Sequence, residues 1–361
     1  MLLDETYEFI KTKGYSPIRD IKEKKYKILL EPYSTDHYFF PEEIDYEFRL
    51  KYKYSLISAK PTPAYSINWN IIYDAILCFS KREAEILCAY TKTFIVAPMK
   101  YRDFKKIDYR PSDKPVLLYL PTFGDTSSID NIEKVFKSLK NDYYIITKAH
   151  HGTQYHHQEM NRIDILQRSS DEYYTQSTNV TELLERVDVV LSDNSGAIFD
   201  AIYAEIPVAI FNNDTLNEQR LGRINTFQHQ LVQRSVVPYT NKPNEVGMIL
   251  NQAKRKQREQ ICEKADFLIE KDVTKEFVKV IEYFLSENRN CNEYYALHDV
   301  IKETFVTQKK EIENYKSEVN KILDSKVWKI ANKVASPYRL IVRCLKIIFR
   351  KGDRDRTIKS V

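Results

Sequence analysis

Three short stretches carry residue types able to grip and transfer a phosphate: Pro121-Thr122-Phe123-Gly124-Asp125, Lys148-Ala149-His150-His151-Gly152-Thr153, and Ser192-Asp193-Asn194-Ser195-Gly196. The chain has only seven glycines, and one stands in each of these turns: Gly124, Gly152 and Gly196. Glycine lets backbone N–H groups approach a ligand closely, and a helix N-terminus adds orphan donors and about half a positive charge. Ser195 and Gly196 sit where the helical stretch GAIFDAIYAE begins, so a phosphate there would accept backbone hydrogen bonds; the alternative is that Asn194 or Ser195 is simply an N-cap. Four of the seven histidines lie in HHGTQYHH (150–157), next to Lys148. An ammonium and imidazoles can neutralise a diphosphate and exchange protons, and His150, nearest the strand end, is the candidate acid–base group. No carboxylate or thiolate has telling spacing to these histidines, so no metal site is expected. Asp193 reads as an organiser of its turn, because a free carboxylate against a diphosphate would be repulsive. Asp200 lies on the same helix side as Gly196 and could bond a ligand hydroxyl, or pair with a cation.

These turns need strands behind them, and the sequence supplies an alternation. In the second half, 115–122, 142–150, 163–169, 188–194 and 207–212 read as strands, and helices are expected over SIDNIEKVFKSLK, NVTELLERV and GAIFDAIYAE. This is the pattern of a doubly wound α/β domain, which binds ligands at the carboxyl ends of its strands. Before it, 25–32, 73–80 and 93–98 read as strands, with the helix KREAEILCAY capped by Ser80. YRPSDKP (109–115) is the candidate linker. The expected organisation is an N-terminal α/β domain over 1–112, a donor-binding α/β domain over 113–290, and a helical extension over 291–361. Residues 242–288 read as helical throughout. From about residue 300, Phe305, Ile312, Tyr315, Val319 and Ile322 follow a heptad-like rhythm, which suits either a packed helix or a coiled coil.

Composition narrows the class. The chain has 361 residues, 43% hydrophobic and 30% charged, as in a soluble globular protein. Neither a secretory signal nor an apolar run long enough to span a membrane is visible. The five cysteines show no CxxC spacing, which argues against a disulfide framework or zinc and for a reducing cytoplasm. Residues 337–361 carry eight basic and two acidic side chains, a net of +6, whereas the whole chain carries +5. The body is therefore near neutral, and a nucleic-acid-binding surface is not expected. Within this tail Arg339, Arg343, Lys346 and Arg350 form one helical stripe amid apolar residues, with Trp328 upstream. Such a helix suits an anionic membrane surface; the alternative is a helix packed on the body with solvated cations.

The order YLPTFGD, ITKAHHG, DVVLSDNSGAIFDAIYAEIPVAIF resembles the donor domain of the CDP-glycerol glycerophosphotransferases, the teichoic-acid primases and polymerases. Pro121-Thr122-Phe123, Lys148, His150, Asp193 to Gly196, Phe199-Asp200 and Pro207 carry the likeness, which covers about residues 70–285. The last block is also similar to that of UDP-sugar 2-epimerases. The resemblance implies a GT-B-like fold of two Rossmann-like domains facing a cleft. It also implies transfer of glycerol phosphate, or a related polyol phosphate, from a CDP-linked donor to a membrane-linked glycan, a teichoic acid, capsule or similar polymer, at the inner face of the membrane. Thr122, Gly124, Lys148, His151, Asn194, Ser195, Gly196 and Asp200 would hold the donor, with no cofactor or metal required. The chain departs from the family pattern where Asn194 and Gly196 replace Tyr and Ser and where Gly124 replaces Arg. SAKPTPAYSINW also lacks the family's acceptor-side His-Gly pair. Asp36 or His37 is the candidate base in its place. A nucleotide-sugar transferase, a UDP-sugar epimerase and a non-catalytic membrane-docked nucleotide-binding protein are the competing readings.

Overall fold

The computed structural model describes residues 25–31, 45–52, 67–124, 127–150, 152–153, 159–175, 178–193, 195–212, 227–266 and 274–325. They form two compact units, 1–295 and 296–361. The first unit is α/β and contains two all-parallel sheets.

The first sheet has the order β1 (Tyr26–Glu31), β2 (Tyr46–Tyr52), β3 (Ala75–Cys78), β4 (Lys92–Ile95). Strands β1, β3 and β4 lie where the sequence places them, and β2 was not anticipated. It alternates Phe48, Leu50 and Tyr52 with Arg49 and Lys51, and all five are buried. The two cations are tolerated because each has partners. Arg49 bonds Glu31 at 2.6 Å, Lys51 bonds the Asn70 side-chain oxygen at 2.7 Å, and both lie over the Tyr73 ring. Helix α1 (Lys81–Leu87) begins at Ser80, whose hydroxyl bonds Asp266 rather than the helix. The Asp266 carboxylate accepts the Arg82 N–H at 3.1 Å and so serves as the cap.

The second sheet runs β10-β9-β8-β5-β6-β7, with β5 (Val116–Leu120), β6 (Tyr144–Lys148), β7 (Glu172–Tyr174), β8 (Val189–Ser192), β9 (Val208–Phe211) and β10 (Tyr239–Thr240). Val116, Leu118 and Leu120 enter one core cluster while Leu117 and Tyr119 enter the other, so both faces are covered. That is why β5 reads as an unbroken apolar run. The helices here are α2 (Ile132–Leu139), α3 (Met160–Ser169), α4 (Val180–Leu184), α5 (Ala197–Tyr203), α6 (Phe227–Gln233), α7 (Val246–Arg255) and α8 (Gln257–Cys262).

Residues 163–169 were expected as a strand and are helical, within α3. Their apolar run is too short for periodicity to separate the two states, and the buried pair Leu166 and Ser169 has helical spacing. The strand is β7, whose sequence Glu-Tyr-Tyr gives little hydrophobic signal. Its Glu172 carboxylate accepts hydrogen bonds from Tyr109, Tyr144 and Tyr174. The stretch 242–288 is not one helix but a succession: a 3-10 turn Pro243–Glu245, α7, α8, a second turn Glu263–Asp266, and α9 (Lys275–Ser286). Helix α9 returns to the first sheet and buries Phe277 and Phe284 there, with Phe284 5.0 Å from Phe48 and Phe277 5.2 Å from Tyr52.

The last described element, α10 (Glu293–Asp324), is a single helix of 32 residues. Among the described residues no helix is long and apolar enough to cross a membrane. Trp328, Arg339, Arg343, Lys346 and Arg350 lie outside the described residues, as do Asp36 and His37.

Candidate active site

In the second sheet, β5 and β8 are neighbours, and the chain winds outward from them in opposite directions. Such a switch point opens a crevice outside the carboxyl ends of the two central strands. Leu120 of β5 is in register with Ser192 of β8, and Tyr119 with Thr147 of β6, so three strands end side by side. The three turns singled out by composition follow these three ends.

Asp193 joins two of them. Its fully buried carboxylate accepts the Thr122 N–H at 2.8 Å, the Ser128 N–H at 3.1 Å and the Ser128 hydroxyl at 3.2 Å. It organises the turn, as the repulsion argument required. The Ser192 hydroxyl adds a bond to the Leu120 carbonyl at 2.7 Å.

The third turn is joined by ring packing. His150 stacks on Phe123 with centroids 4.8 Å apart and planes at 27°. Its Nδ1 accepts the Gly152 N–H at 3.0 Å. A neutral ring with Nδ1 as acceptor carries its proton on Nε2, which makes that nitrogen a donor. A Cβ at Gly152 would fall 2.8 to 2.9 Å from three Phe123 ring atoms, so Phe123 can hold this position only against a glycine.

Gly124 has φ +72°, the left-handed region that favours glycine. Its N–H bonds Glu159 at 3.2 Å and its carbonyl accepts from Arg162 at 2.9 Å. Arg162 also pairs with Glu159 and Asp130, each at 2.7 Å. The turn after β5 is therefore clamped by Asp193 on one side and by Glu159 and Arg162 on the other. The Thr122 and Gly124 N–H groups are both engaged within the protein, so these residues shape the turn through their backbone.

Asp200 takes the second of its two expected roles. Its carboxylate pairs with Lys100 and accepts the Tyr101 hydroxyl at 2.7 Å. Burial, with Asp200 beside it, pushes the Tyr101 phenol well above its usual range. Lys100 and Tyr101 come from the turn Met99–Tyr101 that follows the first sheet. The sequence reading missed both, since nothing local marks a lysine 100 residues away as a partner. Lys148, at the end of β6, also senses this carboxylate. Burial pushes its ammonium pKa down, the nearby Asp200 works against that, and Lys100 adds to the fall. Two ammonium groups thus share one carboxylate, which leaves a positive charge in partly desolvated surroundings.

Ser195 is buried, and its hydroxyl accepts the Ala197 N–H at 3.3 Å as α5 begins. Gly196 has right-handed φ of −63°, so its conformation does not itself demand glycine. The N-cap of α5 is Gly196, with no side-chain cap, so Ser195 stands one position before the cap rather than filling it. His151 and Asn194 lie outside the described residues.

Residues 97–231 match the sequence model of the CDP-Glycerol:Poly(glycerophosphate) glycerophosphotransferases. Over this stretch the chain is similar to that family of transferases. The matched segment holds all three turns together with Lys100 and Tyr101. Among curated proteins none matches. Among solved structures, the wall teichoic acid polymerase TagF is 15% identical over 64% of this chain and 67% of its own, with a TM-score of 0.46. The UDP co-structure of S. aureus MnaA is 15% identical over 79% and 80%, with a TM-score of 0.48. A putative UDP-N-acetylglucosamine 2-epimerase from Listeria monocytogenes is 13% identical over 80% and 79%, at 0.46.

Proposed function

We propose that the chain transfers glycerol phosphate, or a related polyol phosphate, from a CDP-linked donor to a membrane-linked cell-surface glycan. The observation that carries this reading is the junction of the turns after β5, β6 and β8 at the switch point, inside the segment that matches the family. There Lys148, partly buried at the end of β6, supplies a positive group, and His150, stacked on Phe123, supplies an imidazole beside it. An anion with several oxygens suits such a place better than a neutral ligand.

The reaction is a displacement at the phosphorus that bears the polyol. An acceptor hydroxyl forms the new P–O bond, the bond to the nucleotide phosphate breaks, and CMP leaves. Negative charge grows on the leaving phosphate, where Lys148 and His150 stabilise it. The acceptor proton passes to a base, for which Asp36 and His37 are the proposed groups. Ser195, Gly196, Asn194 and His151 complete the donor site in this reading, and Thr122 and Gly124 hold its turn in shape. Asp200 acts by fixing Lys100 and Tyr101 beside it. The basic tail from Arg339 to Arg350, with Trp328, holds the enzyme at the inner membrane face, where a lipid-linked acceptor is presented.

The deciding experiment measures the melting temperature with CDP-glycerol, CDP-ribitol and a set of UDP-sugars, followed by transfer assays with each donor that binds. Stabilisation by a CDP-polyol, with CMP released only when acceptor is present, supports the proposal. Stabilisation by UDP-sugars alone would replace it with a nucleotide-sugar enzyme, and no stabilisation by any donor would remove it. His150→Ala is expected to abolish transfer in a folded protein. Deleting 337–361 is expected to release the protein from anionic vesicles.

A further inference from the structure

Every residue from Lys310 to Asp324 of α10 is exposed. Ile312, Tyr315, Val319 and Ile322 are 46%, 67%, 52% and 58% exposed. An unpacked helical stretch of this length is marginal in water, because propagation alone scarcely repays nucleation. A row of large apolar side chains along it is the usual remedy when a second surface covers the row. The question is which surface.

The spacing defines it. With Phe305, Ile312 and Val319 as heptad position a, Tyr315 and Ile322 fall at d, along a seam about 26 Å long. Gln308 takes the remaining d position. Glu311 and Glu318 then occupy g, while Lys309 and Lys316 occupy e. In two parallel, in-register helices each g faces the e of the next heptad on the other strand, so Glu311 meets Lys316 of the second copy, twice by symmetry. Antiparallel packing would set glutamate against glutamate and lysine against lysine. The β-branched residues Ile312 and Val319 at a suit two strands. In the single chain Lys316 bonds Glu313 of its own helix at 2.6 Å with both side chains exposed, a pair that contributes little and exchanges readily.

We propose that α10 pairs with α10 of a second copy of this chain as a parallel two-stranded coiled coil through Phe305, Ile312, Tyr315, Val319 and Ile322. The occupant of the row is therefore the same protein, and neither a membrane nor an unrelated partner is needed to cover it.

Sedimentation equilibrium of the full chain tests this. The expected mass is twice that of one chain, falling to a single chain in the double variant Ile312→Asp with Val319→Asp, with the melting of the body unchanged. The charges give a second, gentler test. Glu311→Lys alone, or Lys316→Glu alone, turns two attractions into two repulsions and should weaken dimerisation on the order of tenfold. The two reversals together should restore it to within about twofold of the wild type. A wild-type chain that stays monomeric at every concentration overturns the proposal. A dimer that persists in the Ile312 and Val319 double variant overturns it too, and so does a double charge reversal that fails to recover.

Discussion

Replacing Asp193 by asparagine keeps the shape and changes only the hydrogen-bond logic of the site. In the native turn both carboxylate oxygens accept, one from the Thr122 N–H at 2.8 Å and the other from the Ser128 N–H and hydroxyl at 3.1 and 3.2 Å. An amide offers one accepting oxygen, and its NH2 must face the remaining donors. The better orientation keeps the oxygen on Thr122 and lets the NH2 donate to the Ser128 hydroxyl, which can in turn donate to Tyr119, 2.6 Å away. The Ser128 N–H is then buried without a partner, which costs about 1–3 kcal/mol, and loss of charge assistance in the remaining bonds adds about 1 kcal/mol. A total of about 2–4 kcal/mol lowers the melting temperature by about 4–8 °C for a unit of this size. Because Thr122 and Ser128 flank the turn that carries Phe123, the stabilisation by CDP-glycerol should fall with it. Thermal unfolding with and without CDP-glycerol measures both effects. An Asp193→Asn protein that melts within about 1 °C of the wild type and keeps its full response to donor would refute the claim that this carboxylate builds the site.

Gly152→Ala should cost about 1–3 kcal/mol, since its Cβ must displace the Phe123 ring, and transfer should fall further than stability because the His150 stack moves. Adding Phe123→Ala should recover the melting temperature without recovering transfer, which melting and transfer assays together would show. Lys148→Met should raise the melting temperature at neutral pH and erase donor-induced stabilisation. Burial holds the folded pKa of Lys148 below its unfolded value, so the unfolded chain binds more protons and native stability rises with pH through that window. A destabilised Lys148→Met protein at neutral pH would contradict this. Glu172 is opposite in sign. Burial alone would raise its pKa, but the hydroxyls of Tyr109, Tyr174 and Tyr144 hold it below the usual carboxylate range. Its stabilisation is full above the ordinary glutamate value and disappears as pH falls through the lowered folded one, so the melting temperatures of wild type and Glu172→Gln should converge as the pH is taken progressively below the ordinary glutamate range.

The elements that the sequence revealed are those whose burial repeats with a simple period. The strands β5, β6, β8 and β9 are apolar because both faces of their sheet are covered, and the turns after them show because glycine is scarce in this chain. Strand β2 shows how such reading fails. Phe48, Leu50 and Tyr52 alternate as a half-buried strand should, but Arg49 and Lys51 between them suggest a solvated face. Their charges are absorbed by Glu31, Asn70 and Tyr73, which are brought in by β1 and by the turn before β3. Period alone would have found β2; the burial of its cations depends on partners that no local window contains. In α3 and β7 the error ran the other way, with apolar content in a helix and a tyrosine-rich edge strand left unmarked.

The same divide runs through the site. Which turns converge follows from topology, because strands that neighbour each other at a switch point present their carboxyl ends to one crevice. Which groups remain available to a ligand does not follow from topology. Asp200 is placed by the helix beside the Gly196 turn, yet its carboxylate is claimed by Lys100 and Tyr101 from the far side of the linker. That claim has an electrostatic consequence for the reaction. In the proposed reaction a free Asp200 would neutralise Lys148 and repel a diphosphate; with Lys100 taking up its charge, the positive field of Lys148 would be left for the proposed donor. Asp200→Asn should therefore act in two ways: it loosens Lys100 and Tyr101 and so lowers stability, while removing a negative charge that acts on Lys148 should preserve or tighten binding of the proposed nucleotide donor. Donor affinity that collapses in a folded Asp200→Asn protein would instead place this carboxylate on the donor itself, as a direct partner of a ribose or polyol hydroxyl.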